Sequence, residues 1–128
     1  MKNFLFASIA GAGLLFATTA FADVTAEITT ASTHAGLAAK AGTIDMMHMH
    51  MHHAINCLEG AGGADYDATN ANPCAKDGSG AITDAASPAQ KAKLQAAAAQ
   101  LKSGLALTDM AAAGKAATDA SAAISAAK

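Results

Sequence analysis

The chain has no arginine and no tryptophan, and its charge is slight, with eight lysines against ten acidic residues. Arginine is the side chain that grips phosphates and base edges with two hydrogen bonds at once. Without it, and without a run of lysines, nucleic-acid binding loses its usual instruments, and an anionic membrane finds no polybasic segment to hold. Aromatic residues are equally scarce. All four phenylalanines fall in the first 22 residues, which leaves Tyr66 as the only aromatic side chain from Asp23 onward. Much of the apolar content is alanine, which buries little area, so the core is thin for its length. Such a domain needs reinforcement from a crosslink, a bound metal or a partner.

The N-terminus reads as an export signal. Lys2 supplies the positive charge, Phe4 to Phe16 carries none, and Ala20-Phe21-Ala22 forms an A-x-A cleavage site ahead of Asp23. As a membrane span the stretch is short and is diluted by Gly11, Gly13, Thr18 and Thr19. No cysteine sits at the cleavage site, as a lipid anchor would require. Residues 1–22 are therefore expected to be removed, leaving a single domain, 23–128, in the periplasm or outside the cell. In that portion seven lysines stand against ten carboxylates, a net charge of −3.

Four segments carry helical signals and none carries a convincing strand signal. Val24, Ile28, Ala31, Ala35 and Ala38 recur at helical spacing between Asp23 and Ala41. A second helix is expected from an N-cap at Thr43 to Glu59, with Gly60 ending it. The stretch from Gly60 to about Ala86 is rich in Gly, Asn and Asp, contains Asn72-Pro73, and reads as a loop. Ser87, Pro88 and Gln90 form the sharpest helix start in the chain, a capping box with proline at the first helical position. Leu94, Ala97, Ala98 and Leu101 make the third apolar stripe, which Ser103-Gly104 is expected to weaken. A fourth helix should begin near Thr108, with Met110, Ala113, Ala117, Ala120 and Ile124 on one face. The predicted fold is all-α, a small antiparallel four-helix bundle with one long loop, existing as a monomer or weak dimer.

Cys57 ends the second helix and Cys74 lies in the loop. An even cysteine count in an exported chain favours a Cys57–Cys74 disulfide, worth about 3 kcal/mol for a loop of this size. The alternative is a metal-binding thiolate at Cys57. There is no C-x-x-C redox motif and no haem-attachment motif.

The chemistry is concentrated in Met46-Met47-His48-Met49-His50-Met51-His52-His53, which holds four of the five histidines and four of the six methionines. Imidazole suits copper, zinc and nickel, and thioether adds a preference for Cu(I). At about 100° per residue, Ile44, Met47, Met51, Ile55 and Leu58 form a packing stripe. Met46, Met49, His50, His53 and Cys57 share a second flank, where His50 and His53 stand one turn apart and can converge on one ion. His48 and His52 pair on a third face near Asp45 and Glu59, a candidate for a harder second site. His34 on the first helix would complete either group if the pairing of helices brings it close. A strand would instead place the methionines on one side and His48, His50 and His52 on the other, and a flexible segment folding around metal is a third geometry. The alanine-rich neighbours and the Thr43 cap favour the helix.

The loop residues Asp65, Asp67, Thr69 and Asn70 invite a calcium reading, but the sixth and twelfth positions of an EF-hand would be Asn70 and Lys76. A structural loop is the better account.

With its leader, its size and the block Met46–His53, the chain resembles small exported, His-rich helical metal-binding proteins of bacteria. It lacks the repeating His heptads of one such type. The resemblance implies a non-enzymatic metal binder acting in sequestration, buffering or delivery. Copper is the expected ion, with zinc and nickel open, and a metal-delivery partner is left open. Two alternatives are a haem-binding electron-transfer bundle, which would have almost no aromatics to pack a porphyrin, and an interaction module without metal. No nucleophile–base arrangement argues for an enzyme.

Overall fold

The computed structural model describes residues 22–128, so the leader reading falls almost wholly outside the described residues. Four helices follow: α1, Val24–Ala39; α2, Ile44–Glu59; α3, Pro88–Leu105; and α4, Met110–Ser125. There is no strand among the described residues. Each helix starts on a side-chain cap. Asp23, Thr43, Ser87 and Asp109 accept a hydrogen bond from the backbone N–H three residues on, satisfying a donor that the first turn leaves free. The Ser87 box closes in both directions: Ser87 Oγ accepts from Gln90 N, and Gln90 Oε1 accepts from Ala86 N at 2.7 Å. Gln90 Nε2 also donates to Ala127 O, tying the start of α3 to the end of α4.

The helices form an antiparallel bundle in which α1 packs on α2 and α4, and α3 packs on the same two. Register can be followed along each seam. Ser32 meets Ser121 and Ser125 of α4, while Gly114 of α4 lies by Ala39. Along the α2–α3 seam, Met51 of α2 lies against Gly104, and His48 reaches Leu107 just beyond α3. Alanines line every helix interior: Ala31 and Ala35, Ala54, Ala97, and Ala113, Ala117 and Ala120 are fully buried. The larger core side chains Ile28, Met47, Met51, Leu58, Leu94, Leu101 and Ile124 fill the space between them.

The helix boundaries differ from expectation in three places. Helix α1 stops at Ala39 rather than Ala41, and α4, expected near Thr108, starts at Met110 on an Asp109 cap. Ser103-Gly104 does not weaken α3, which continues to Leu105. Ser103 Oγ donates back to Ala99 O, and Gly104 is a packing residue: a Cβ there would stand 3.0 Å from Met51 Cε and 3.3 Å from Ala116 Cβ. Met110, expected on the inner face of α4, is exposed at its first turn.

The stretch from Gly60 to Ser87 is irregular and fixed at four points. The Cys57–Cys74 disulfide ties it to the end of α2. Ala81 and Ile82 donate to the last α2 carbonyls, Cys57 O and Leu58 O. Gly60 takes φ +65°, and a side chain there would collide with Ser79 O, so this turn requires glycine. Asn56, fully buried, anchors the 67–71 turn, and Glu27 of α1 accepts from Gly80 N at 2.8 Å.

Candidate metal centre

On α2 the packing stripe and the ligand-bearing flanks separate as helical spacing requires. Met47, Met51, Ile55 and Leu58 are buried, with Ile44 partly so. The fixed antiparallel pairing of α1 and α2 then lays His34 beside the α2 flank. The His34 and His50 rings stand 5.5 Å apart between centroids, with His53 at 5.1 Å from His34 and 5.7 Å from His50, edge-on to both. All three rings are half-buried, and one nitrogen of each lies within 4.8 Å of the others. No other group of three or more His, Cys, Asp or Glu gathers in this way among the described residues.

The closest pair is His34 Nδ1 and His50 Nδ1, 3.3 Å apart. Two nitrogens bound to one ion at about 2.0–2.1 Å and near the tetrahedral angle stand about 3.4 Å apart. The separation therefore suits two ligands on a shared ion. It also suits a hydrogen bond, in which one Nδ1 carries the proton and the other is bare. His53 Nδ1 is buried and has no hydrogen-bond partner. A buried imidazole nitrogen left unpaired is costly, and a metal would satisfy it.

Two rings of the triad, His34 and His53, resist protonation. Burial lowers the pKa of His34, and the His53 and His50 rings lower it further. Burial likewise lowers His53, with His50 and His52 adding to the effect. Neutral imidazole is the ligating form, so the protein holds these donors ready at neutral pH. No carboxylate stands in the triad, which makes the donor set purely nitrogen and of intermediate softness.

The other residues singled out by the sequence lie around this centre. Met46 and Met49 are exposed, 49% and 37%, so neither thioether is committed to the core. His48 and His52 turn to separate partners. His48 Nε2 meets Leu107 O at 3.0 Å, and His52 Nδ1 meets Asp67 Oδ2 at 3.2 Å. Cys57 is in the disulfide, which rules out its reading as a free thiolate.

Asp67 is a structural acid. Its carboxylate accepts from Thr69 Oγ1 and N and from Asn70 Nδ2, bonds that bring its pKa down to about 2, with His52 contributing. This closed turn accounts for the Asp65–Asn70 segment without an ion. Two buried polar residues, Glu27 and Asn56, carry no signal in the sequence. Both lie on the inner sides of helices, one position from the apolar residues Ile28 and Ile55, where spacing alone suggests solvent-facing neighbours. No family model matches the chain, and no curated protein or solved structure matches it.

Proposed function

We propose that this chain is a non-enzymatic, exported metal-binding protein, and that its ion is copper held by His34, His50 and His53. The observation that carries the reading is the convergence of three imidazoles from two helices, two of them 3.3 Å apart at Nδ1. Three nitrogen donors leave at least one position open, as reversible capture and release require. Exposed Met46 and Met49 on the same flank of α2 supply thioether to Cu(I), and this distinguishes copper from zinc and nickel. His48 and His52, already engaged elsewhere, belong to a weaker second site. The disulfide and the leader sequence both favour the periplasm or the exterior, where the protein would sequester, buffer or hand on the ion. Three rings gathered with centroids 5.1–5.7 Å apart favour an ion over a porphyrin, whose axial ligands must face each other across a flat slot.

Calorimetry on the mature chain tests the proposal, with Cu(I) under reductant and with Cu(II), zinc and nickel. Tight copper binding that disappears in the His50→Ala/His53→Ala variant, and survives in Met47→Leu/Met51→Leu, is the expected result. Equal binding by wild type and the double His variant would show that the site is wrong. No binding above background for any metal would leave the interaction-module reading.

A further inference from the structure

A second concentration of titratable groups lies away from the triad, where the 77–84 segment meets α1. Glu27 projects from α1 into this seam and is fully buried. Its Oε1 accepts from Gly80 N at 2.8 Å, but its Oε2 is buried without a partner. Asp84 comes from the opposite side, and its Oδ2 accepts from Ser79 N at 2.6 Å. The two carboxyl groups converge beneath Gly78. A Cβ on that residue would stand 2.4 Å from Asp84 Oδ2 and 2.7 Å from Glu27 Oε1. Two carboxylates brought this close from different elements cannot both stay charged at low cost. Among the described residues no lysine forms an ion pair with either.

We infer that Glu27 and Asp84 share one proton, and that this carboxyl pair is a pH-sensitive latch holding the 77–84 segment on α1. With the proton in place, Glu27 Oε2–H donates to Asp84, and the orphaned oxygen is satisfied. Without it, two buried negative charges face each other, and the segment lifts from the helix. The inference is independent of the metal reading and concerns different residues.

The surroundings support it. Glu27 has its pKa pushed up to about 7, chiefly by burial, against the lowering effect of the Gly80 N–H, with Asp84 and Asp77 raising it further. Asp77 and Asp84 are the charged groups of the loop that bear on Glu27. From the α2 side the neighbour is the neutral Cys57–Cys74 disulfide, whose Cys74 Sγ lies 3.8 Å from Glu27 O. The start of α1 is also tied in, because Asp23 N donates to Asp77 O at 2.7 Å. A carboxyl that is easier to protonate when folded favours the docked state. That contribution is full below the unfolded value of 4.5 and is lost as pH rises to about 7.

Amide hydrogen exchange on the intact, metal-free chain tests this between about pH 5 and pH 9, after correction for intrinsic exchange. Ser79 and Gly80, which donate to the two carboxylates, should lose at least about tenfold in protection as pH rises, because each pKa unit is worth a factor of ten. Ala81 and Ile82, which donate to α2 carbonyls, are the internal reference and should change less. Glu27→Gln keeps an acceptor for Gly80 and gives Asp84 a permanent donor, so its Ser79 and Gly80 protection should be independent of pH. Carbon NMR of the Glu27 carboxyl in the wild type provides a readout that needs no variant, with a midpoint near neutrality expected. A midpoint near the ordinary glutamate value, wild-type protection flat with pH, or the same pH dependence in Glu27→Gln would each overturn the latch.

Discussion

Asn56 grips the peptide unit of Asp67 from both sides: its Nδ2 donates to Asp67 O at 2.9 Å, and its Oδ1 accepts from Asp67 N at 2.8 Å. The same amide nitrogen reaches Asn70 O and Ala71 O. One buried side chain on α2 thus organises a whole turn of the loop, and that turn returns the Asp67 carboxylate to His52 on α2. The loop is held by polar bonds in a molecule whose alanine core leaves little apolar area to spare.

Asn56→Ala is therefore expected to destabilise the domain by about 2–4 kcal/mol in urea unfolding, because it leaves buried carbonyls and an N–H unsatisfied. Asn56→Asp should be at least as damaging at pH 7, since a buried carboxylate would face three carbonyl oxygens. Acidification should recover part of that loss by protonating the new side chain.

The bundle was legible in the sequence because its determinants are local. Ser87, Pro88 and Gln90 mark a helix start by short-range hydrogen bonding, and the stripes Ile28–Ala38 and Leu94–Leu101 follow from a fixed turn angle. The flank of α2 carrying His50 and His53 was legible for the same reason. What α1 contributes depends on the register of two helices, so His34 could be named as a candidate but not assigned to one face. Glu27 and Asn56 were illegible because their partners, Gly80 and Asp67, are brought to them by a loop without periodicity. Gly104 misled for a related reason: glycine is a poor helix former in isolation, but here it makes room for Met51.

Leu94 and Leu101 are fully buried among small residues that cannot collapse far into a void. Replacing either with alanine should cost about 2–4 kcal/mol. Gly104→Ala pits better helix propensity against contact with Met51 and the rigid Ala116 Cβ. A net loss of about 1 kcal/mol is expected, with Met51→Ala in the same chain relieving the clash. Chemical denaturation of the single and double variants checks both statements.

Reduction of the disulfide, or Cys57→Ser with Cys74→Ser, should lower stability by about 3 kcal/mol, the entropy of closing a loop of this length. Helicity by circular dichroism should persist, because the four helices also pack through α1–α4, α3–α4 and α2–α3 seams, although the bridge itself lies against α1 at Glu27 O.

His34 and His53 should each cost the apo protein stability on mild acidification. Folding depresses the pKa of His34 and His53, chiefly through burial, so the unfolded chain takes up protons first. Their contribution is present above the unfolded value of about 6.5 and is lost as pH falls through the depressed folded values. This trend opposes that of Glu27, whose contribution grows as pH falls. His34→Asn should therefore weaken the acid loss, and Glu27→Gln, which removes the opposing gain, should enlarge it; the urea midpoint between about pH 7.5 and 5 measures both.

Because His34 lies on α1 while His50 and His53 lie on α2, an ion bound to all three joins two helices. An ion that binds only the folded chain raises unfolding free energy by about 2.7 kcal/mol when free metal is a hundred times the dissociation constant. Thermal unfolding with buffered Cu(I) should show that rise in the wild type and in His48→Ala. It should vanish in His34→Ala as completely as in His50→Ala, although the two residues belong to different helices. The Met46→Leu/Met49→Leu variant discriminates further. It should lose part of the Cu(I) effect and none of the Zn effect, because thioether is a ligand for the softer ion. A His34→Ala chain that keeps the full metal-induced shift would mean that α2 alone carries the site, and that the 3.3 Å approach of His34 to His50 is a hydrogen bond between two rings and nothing more.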